Sequence, residues 1–150
     1  MASLRKDIST RARPADVWAA IRDIGALHTR LVPGFVIDTR VEPGARIVTF
    51  ANGLVVREPI VAIDDANMRL VWSAEGGRTR HYNASVQVFA EMDGTSKVLW
   101  IADFLPDAAA GEIDAAMRAG SAVMKTTLDR LAEADALPTR GAPASQEGSA

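Results

Sequence analysis

The chain has 150 residues, 48% of them hydrophobic and 24% charged, the profile of one globular domain with enough apolar mass for a core. A net charge of −2 and a pI near 5.7 speak against a nucleic-acid surface, and the lack of cysteine excludes disulfides, thiol catalysis and cysteine metal sites. Residues 1–13 are charged without a signal-peptide core, and no apolar run approaches the ~18 residues of a membrane span, so a cytoplasmic protein with no membrane partner is expected.

Residues 3–11 alternate Leu4, Ile8 and Thr10 against Arg5, Asp7 and Arg11, which suits a strand with one wet face. The period then changes. Pro14 opens a short helix that buries Val17, Trp18 and Ile21, and Asp23 caps a second through His28, ahead of the Pro33-Gly34 turn. Six strand candidates follow at 35–42, 45–51, 54–63, 68–75, 79–91 and 96–105. Tight turn signals such as Glu42-Pro43-Gly44, Asn52-Gly53 and Gly76-Gly77 make consecutive strands antiparallel neighbours.

Asp107 to Ala136 carries the one long helical pattern. Ile113, Met117, Met124, Leu128 and Leu131 fall on a single stripe, while Asp114, Arg118, Lys125, Asp129 and Glu133 project away from it. Asp107 is the expected N-cap. The stripe should clamp the helix to the sheet, and the small flank of Ala116, Gly120, Val123 and Thr127 leaves either close packing or empty space beneath it. Residues 1–136 thus form a single α+β domain, and the Pro-, Ser- and Gly-rich residues 137–150 read as a disordered tail.

Four stretches, in their order and spacing, resemble the helix-grip superfamily: Ala12-Arg13-Pro14-Ala15-Asp16-Val17-Trp18, Glu58-Pro59-Ile60, His81-Tyr82-Asn83-Ala84-Ser85-Val86, and Val98-Leu99-Trp100 with Phe104-Leu105-Pro106. That superfamily includes START domains, birch-pollen-type allergens, plant abscisic-acid receptors and, closest to this chain, bacterial polyketide cyclase/dehydrase-like SRPBCC proteins. The resemblance covers about residues 3–135 and implies a curved seven-stranded antiparallel sheet around the long helix, enclosing a cavity for a small hydrophobic or amphipathic ligand. It places Asn52-Gly53-Leu54 at the cavity entrance. The chain departs from the hormone receptors in its short Gly76-Gly77 turn and in having no lysine within 35–42, so hormone reception is not implied.

Strand parity nominates the wall. With Trp72 inward, Leu70 and Ala74 follow, and across the hairpin Arg80, Tyr82, Ala84, Val86 and Val88; the resemblance also turns Tyr82 and Glu58 inward. A carboxylate in an apolar wall suits general acid–base work or ligand anchoring, unless Glu58 simply pairs with Arg57 or Arg80. Strand 96–105 is apolar on both faces, so parity alone does not choose between them; its spacing from Pro106 favours Leu99, Ile101, Asp103 and Leu105 at the cavity, unless a bulge reverses the faces or Asp103 is simply a strand-end charge near the helix start. Glu58, Tyr82 and Asp103 are therefore the catalytic candidates. Leu54, Glu58, Trp72, Arg80, Tyr82, Ala84, Ala116, Gly120, Val123 and Thr127 are the ligand-binding ones.

His28 and His81 are far apart in sequence and no metal-ligand spacing occurs, so neither a metal nor a cofactor is expected. Arg78-Thr79-Arg80-His81 reads as a solvated strand start rather than an anion site. The sequence leaves a carrier or sensor and a cyclase- or dehydratase-type enzyme both open, and monomer or homodimer likewise.

Overall fold

The computed structural model describes residues 1–136, and the expected tail at 137–150 lies outside them. Strand β1 (Ala2–Thr10) leads into α1 (Pro14–Arg22), whose first helical residue is proline, already fixed at a helical φ. The second helical segment is a 3-10 turn, Ile24–Ala26, followed by a π turn, Leu27–Leu31. Asp23 makes no side-chain cap there; its carboxylate accepts from Arg30 at 2.9 Å instead.

The meander comprises β2 (Val36–Glu42), β3 (Ala45–Phe50), β4 (Val55–Asp64), β5 (Arg69–Ser73), β6 (His81–Ala90) and β7 (Ser96–Leu105). All seven strands join one sheet in the order β1-β7-β6-β5-β4-β3-β2, with every pairing antiparallel. Register irregularities between Val36 and Asp38 in β2, and between Ile60 and Ala62 in β4, interrupt the ladders where the sheet curls.

A 3-10 turn (Asp107–Ala109) precedes α2 (Ala110–Ala136), and no side chain caps its start, so the expected Asp107 cap is not formed. The helix lies across the concave face. Buried Met117, Met124 and Leu128 join Ile8, Val98, Ala102 and Phe104 in one core.

The polar side of α2 is not simply solvated. Lys6 Nζ donates to Asp114 at 2.6 Å, the Thr10 hydroxyl to Asp129 at 2.6 Å, the Arg11 backbone N–H to Asp129 at 3.0 Å and Lys125 Nζ to the Ser9 carbonyl at 2.7 Å. These bonds lace one flank of the helix along β1. At the other end of the sheet, Asp65 in the β4–β5 turn accepts from Trp18 Nε1 at 2.9 Å and Arg22 Nε at 2.8 Å, fixing α1 in place.

Candidate functional site

Between the concave sheet and the first half of α2 lies a cavity of about 350 Å³. Its deep wall comes from β3 to β7 through Arg46, Val56, Glu58, Leu70, Trp72, Tyr82, Val86 and Trp100. Ile113, Ala116, Met117 and Met124 of α2 form the roof, and Leu27, Leu31, Phe35 and Phe50 close one side. Asn52, Leu54, Gly76, Gly77, Arg78, Thr79 and Glu112 surround the mouth.

Most of the wall is aliphatic or aromatic, with Phe35 and Phe50 meeting edge to face at 5.6 Å between ring centres. Its polar centre is a pair. The β3–β4 hairpin is centred on Asn52 and sets Arg46 and Glu58, six residues either side, opposite each other on the inward face. Arg46 Nε donates to Glu58 Oε1 at 2.8 Å, its Nη1 reaches the Ile24 carbonyl at 3.4 Å, and its guanidinium carbon lies 5.6 Å from the centre of the Trp72 ring.

Burial pushes the Glu58 carboxyl above its ordinary range, while the charge and hydrogen bond of Arg46 pull it back. A guanidinium does not give up its proton, so neutralising Glu58 would strand a buried cation. The ion pair is the self-consistent state.

Tyr82, also on the inward face, stacks on Phe104 with ring centres 6.4 Å apart. Burial first, and the nearby Glu58 charge second, push its phenol well above the usual tyrosine range. It therefore stays protonated and acts as a hydrogen-bond donor.

The cavity wall contains Leu54, Glu58, Trp72, Tyr82 and Ala116 from the sequence-derived set. Five other positions need correction. Arg80 lies just before β6 and is exposed, its backbone N–H bonded to the Leu105 carbonyl. Ala84 is inward but fully packed in the core. Gly120, Val123 and Thr127 do not line the cavity: a Cβ at Gly120 would stand 3.1 Å from Phe35 and 3.2 Å from Trp100, so the helix here touches the wall. Beside Ala116, the roof is built by Ile113, Met117 and Met124, residues expected to act as clamps.

Asp103 is the sixth correction. β7 pairs without a break from Ser96 to Leu105, placing Phe104 opposite inward Tyr82 and Ala102 opposite Ala84. Val98, Ala102 and Phe104 are all fully buried, so Asp103 belongs to the other face, away from Glu58. The same parity brings Trp100 into the wall.

Neither partner foreseen for Glu58 is the real one. Arg57 faces outward between Glu42 and Glu75, at 3.2 and 3.0 Å. Arg46 was the missing residue, and hairpin symmetry about Asn52 was the signal for it. Among the described residues no group of three or more His, Asp or Glu side chains gathers to hold a metal, and no helix is long and apolar enough to cross a membrane.

A family model described as polyketide cyclase / dehydrase and lipid transport matches residues 1–134. Among solved structures, the protein XoxI from Bacillus cereus is 18% identical, with TM-score 0.78 over 88% of this chain and 99% of that one. The protein Ara h 8.0201 is 21% identical, with TM-score 0.65 over 85% and 97%. A START superfamily protein from Mycobacterium smegmatis is 9% identical, with TM-score 0.67 over 88% and 97%. No curated protein matches. The architecture is the helix-grip fold that the sequence resemblance implied.

Proposed function

The chain belongs to the polyketide cyclase / dehydrase and lipid transport family, and from that premise we propose that it binds a small hydrophobic or aromatic molecule in the cavity between sheet and α2, as a carrier or sensor. One observation carries this reading: the acidic group in the interior of a mostly apolar wall, Glu58, is held by Arg46 at 2.8 Å. Binding by shape needs no free base. Acid–base turnover needs an acid and a base within reach of one substrate position, and with Asp103 on the opposite face and Tyr82 protonated, the described residues offer no second carboxylate inside the mouth.

The cyclase- or dehydrase-type reading draws its support from the proximity of Tyr82 to Glu58 and from the family description. In it, Glu58 leaves Arg46 to move a proton while Tyr82 stabilises an enolate oxygen. Native mass spectrometry of freshly purified protein, looking for a co-purified small molecule, tests the binding reading together with displacement of a neutral fluorescent dye. Turnover of an aromatic polyketide-like substrate that is lost in both Glu58→Gln and Tyr82→Phe would move the conclusion to the enzyme.

A further inference from the structure

Among the described residues, four charged side chains line the cavity: Arg46, Glu58, Arg78 and Glu112. They close into two pairs. Arg46 holds Glu58 at 2.8 Å in the interior, and Arg78 Nε is bonded to Glu112 at the mouth. Neither arginine is left over for an anionic head group. A carboxylate passing into the interior would shed its water and then either displace Glu58 from Arg46 or sit beside it, and both are unfavourable in that buried, low-dielectric part of the wall.

Inside the mouth, the Tyr82 hydroxyl has no hydrogen-bond partner among the described residues. Burial and the Glu58 charge keep its proton in place, so it offers a donor and asks for an acceptor. Around it, Trp72, Trp100, Phe35 and Phe50 supply flat apolar surface suited to a planar ring system.

Resting on the binding reading above, we propose that the cavity selects an electrically neutral aromatic molecule carrying a hydrogen-bond-accepting oxygen, such as an aryl ketone, over the corresponding carboxylate. Both arginines of the wall are ion-paired to carboxylates that also line it, and Tyr82 supplies a free donor.

The test is displacement of the neutral dye N-phenylnaphthylamine from the full chain at neutral pH by three matched ligands: acetylnaphthalene, naphthoate and ethylnaphthalene. The ketone should compete about tenfold better than the carboxylate, the scale of one charge-related mismatch in a desolvated site. Tyr82→Phe should narrow the gap between ketone and hydrocarbon. Glu58→Gln, which unbalances Arg46, should raise naphthoate affinity, a gain that misfolding does not produce. Glu112→Gln, at an exposed position, should do the same at the mouth.

Equal or better competition by naphthoate, with the dye bound normally, overturns the selectivity while leaving the binding reading intact. If the dye finds no site at all, the binding reading fails and the selectivity falls with it.

Discussion

Arg46 and Glu58 face each other across β3 and β4 with Nε and Oε1 2.8 Å apart, their side chains 3% and 9% exposed. Removing one member of such a pair leaves an uncompensated buried charge, whereas replacing both with apolar groups removes the problem. Arg46→Met or Glu58→Leu alone should therefore cost about 3–5 kcal/mol, and the double variant should recover most of it. Urea unfolding of the three proteins checks this. Additive losses in the double variant would mean that the two side chains are not energetically coupled.

Asp129 gives the fold an acid limit. Burial works to raise its carboxyl, but the Thr10 hydroxyl, the Arg11 N–H and Lys125 outweigh that and hold it low. Asp114 is held low chiefly by its hydrogen bond from Lys6, with Arg118 adding to it. A carboxyl depressed in the folded chain contributes stability that is present above its unfolded value of about 4 and is lost as pH falls through the folded value. Stability should thus decline in acid, with α2 loosening from β1. Asp129→Asn should lose about 1–2 kcal/mol at neutral pH and flatten that acid slope. An unchanged slope in denaturant titrations across pH would remove Asp129 from this role.

Gly120 is a point of close approach between α2 and the wall beneath it. An added Cβ meets Phe35 at 3.1 Å and Trp100 at 3.2 Å, so at least one ring must give. Alanine improves helix propensity by roughly 1 kcal/mol, which offsets part of an overpacking cost of roughly 1–3 kcal/mol. Gly120→Ala should be neutral to mildly destabilising. Gly120→Leu should be clearly destabilising and, by pushing the Trp100 and Phe35 rings that line the cavity, should weaken dye binding as well. Unfolding midpoints and dye titration of the same samples separate the two effects.

The order of strands within the meander and the long helix were legible because turn residues and alternation are local signals, whereas the pairing of β1 with β7 joins distant segments that no local signal connects. Facing was legible only where one face is polar: Tyr82, Val86 and Val88 alternate with Asn83, Ser85 and Gln87, and the inward set follows. β7 offers no such contrast, since Leu99 and Ile101 are as apolar as Val98 and Trp100, so its choice of face is made by pairing with β6. On α2, the stripe of Ile113, Met117 and Met124 could be read, but not what lies opposite it. Whether a helix residue clamps or roofs depends on the bulk of the facing strand residues, and Trp100 fills the space at Gly120 while leaving it open near Met117. The Arg46–Glu58 pair is a matter of hairpin register, which no window along a single strand contains.

Arg78 and Glu112 join the β5–β6 loop to the start of α2 across the cavity mouth, both more than half exposed. The loop beside them bends through Gly76 and Gly77, at φ +89° and +101°, backbone geometry that side-chained residues seldom adopt. An exposed pair contributes little to equilibrium stability and is weakened by salt, so its effect should appear in exchange rather than in affinity. Arg78→Ala should speed both binding and release of a neutral dye by up to about fivefold, the limit set by the strength of an exposed ion pair, with Kd nearly unchanged. Stopped-flow traces at low and high salt provide the check, because salt should bring the parent protein toward the variant while leaving the variant unmoved. Rates that are identical in the two proteins at low salt would show that ligand passes elsewhere, and the mouth would then have to be sought away from the β5–β6 loop.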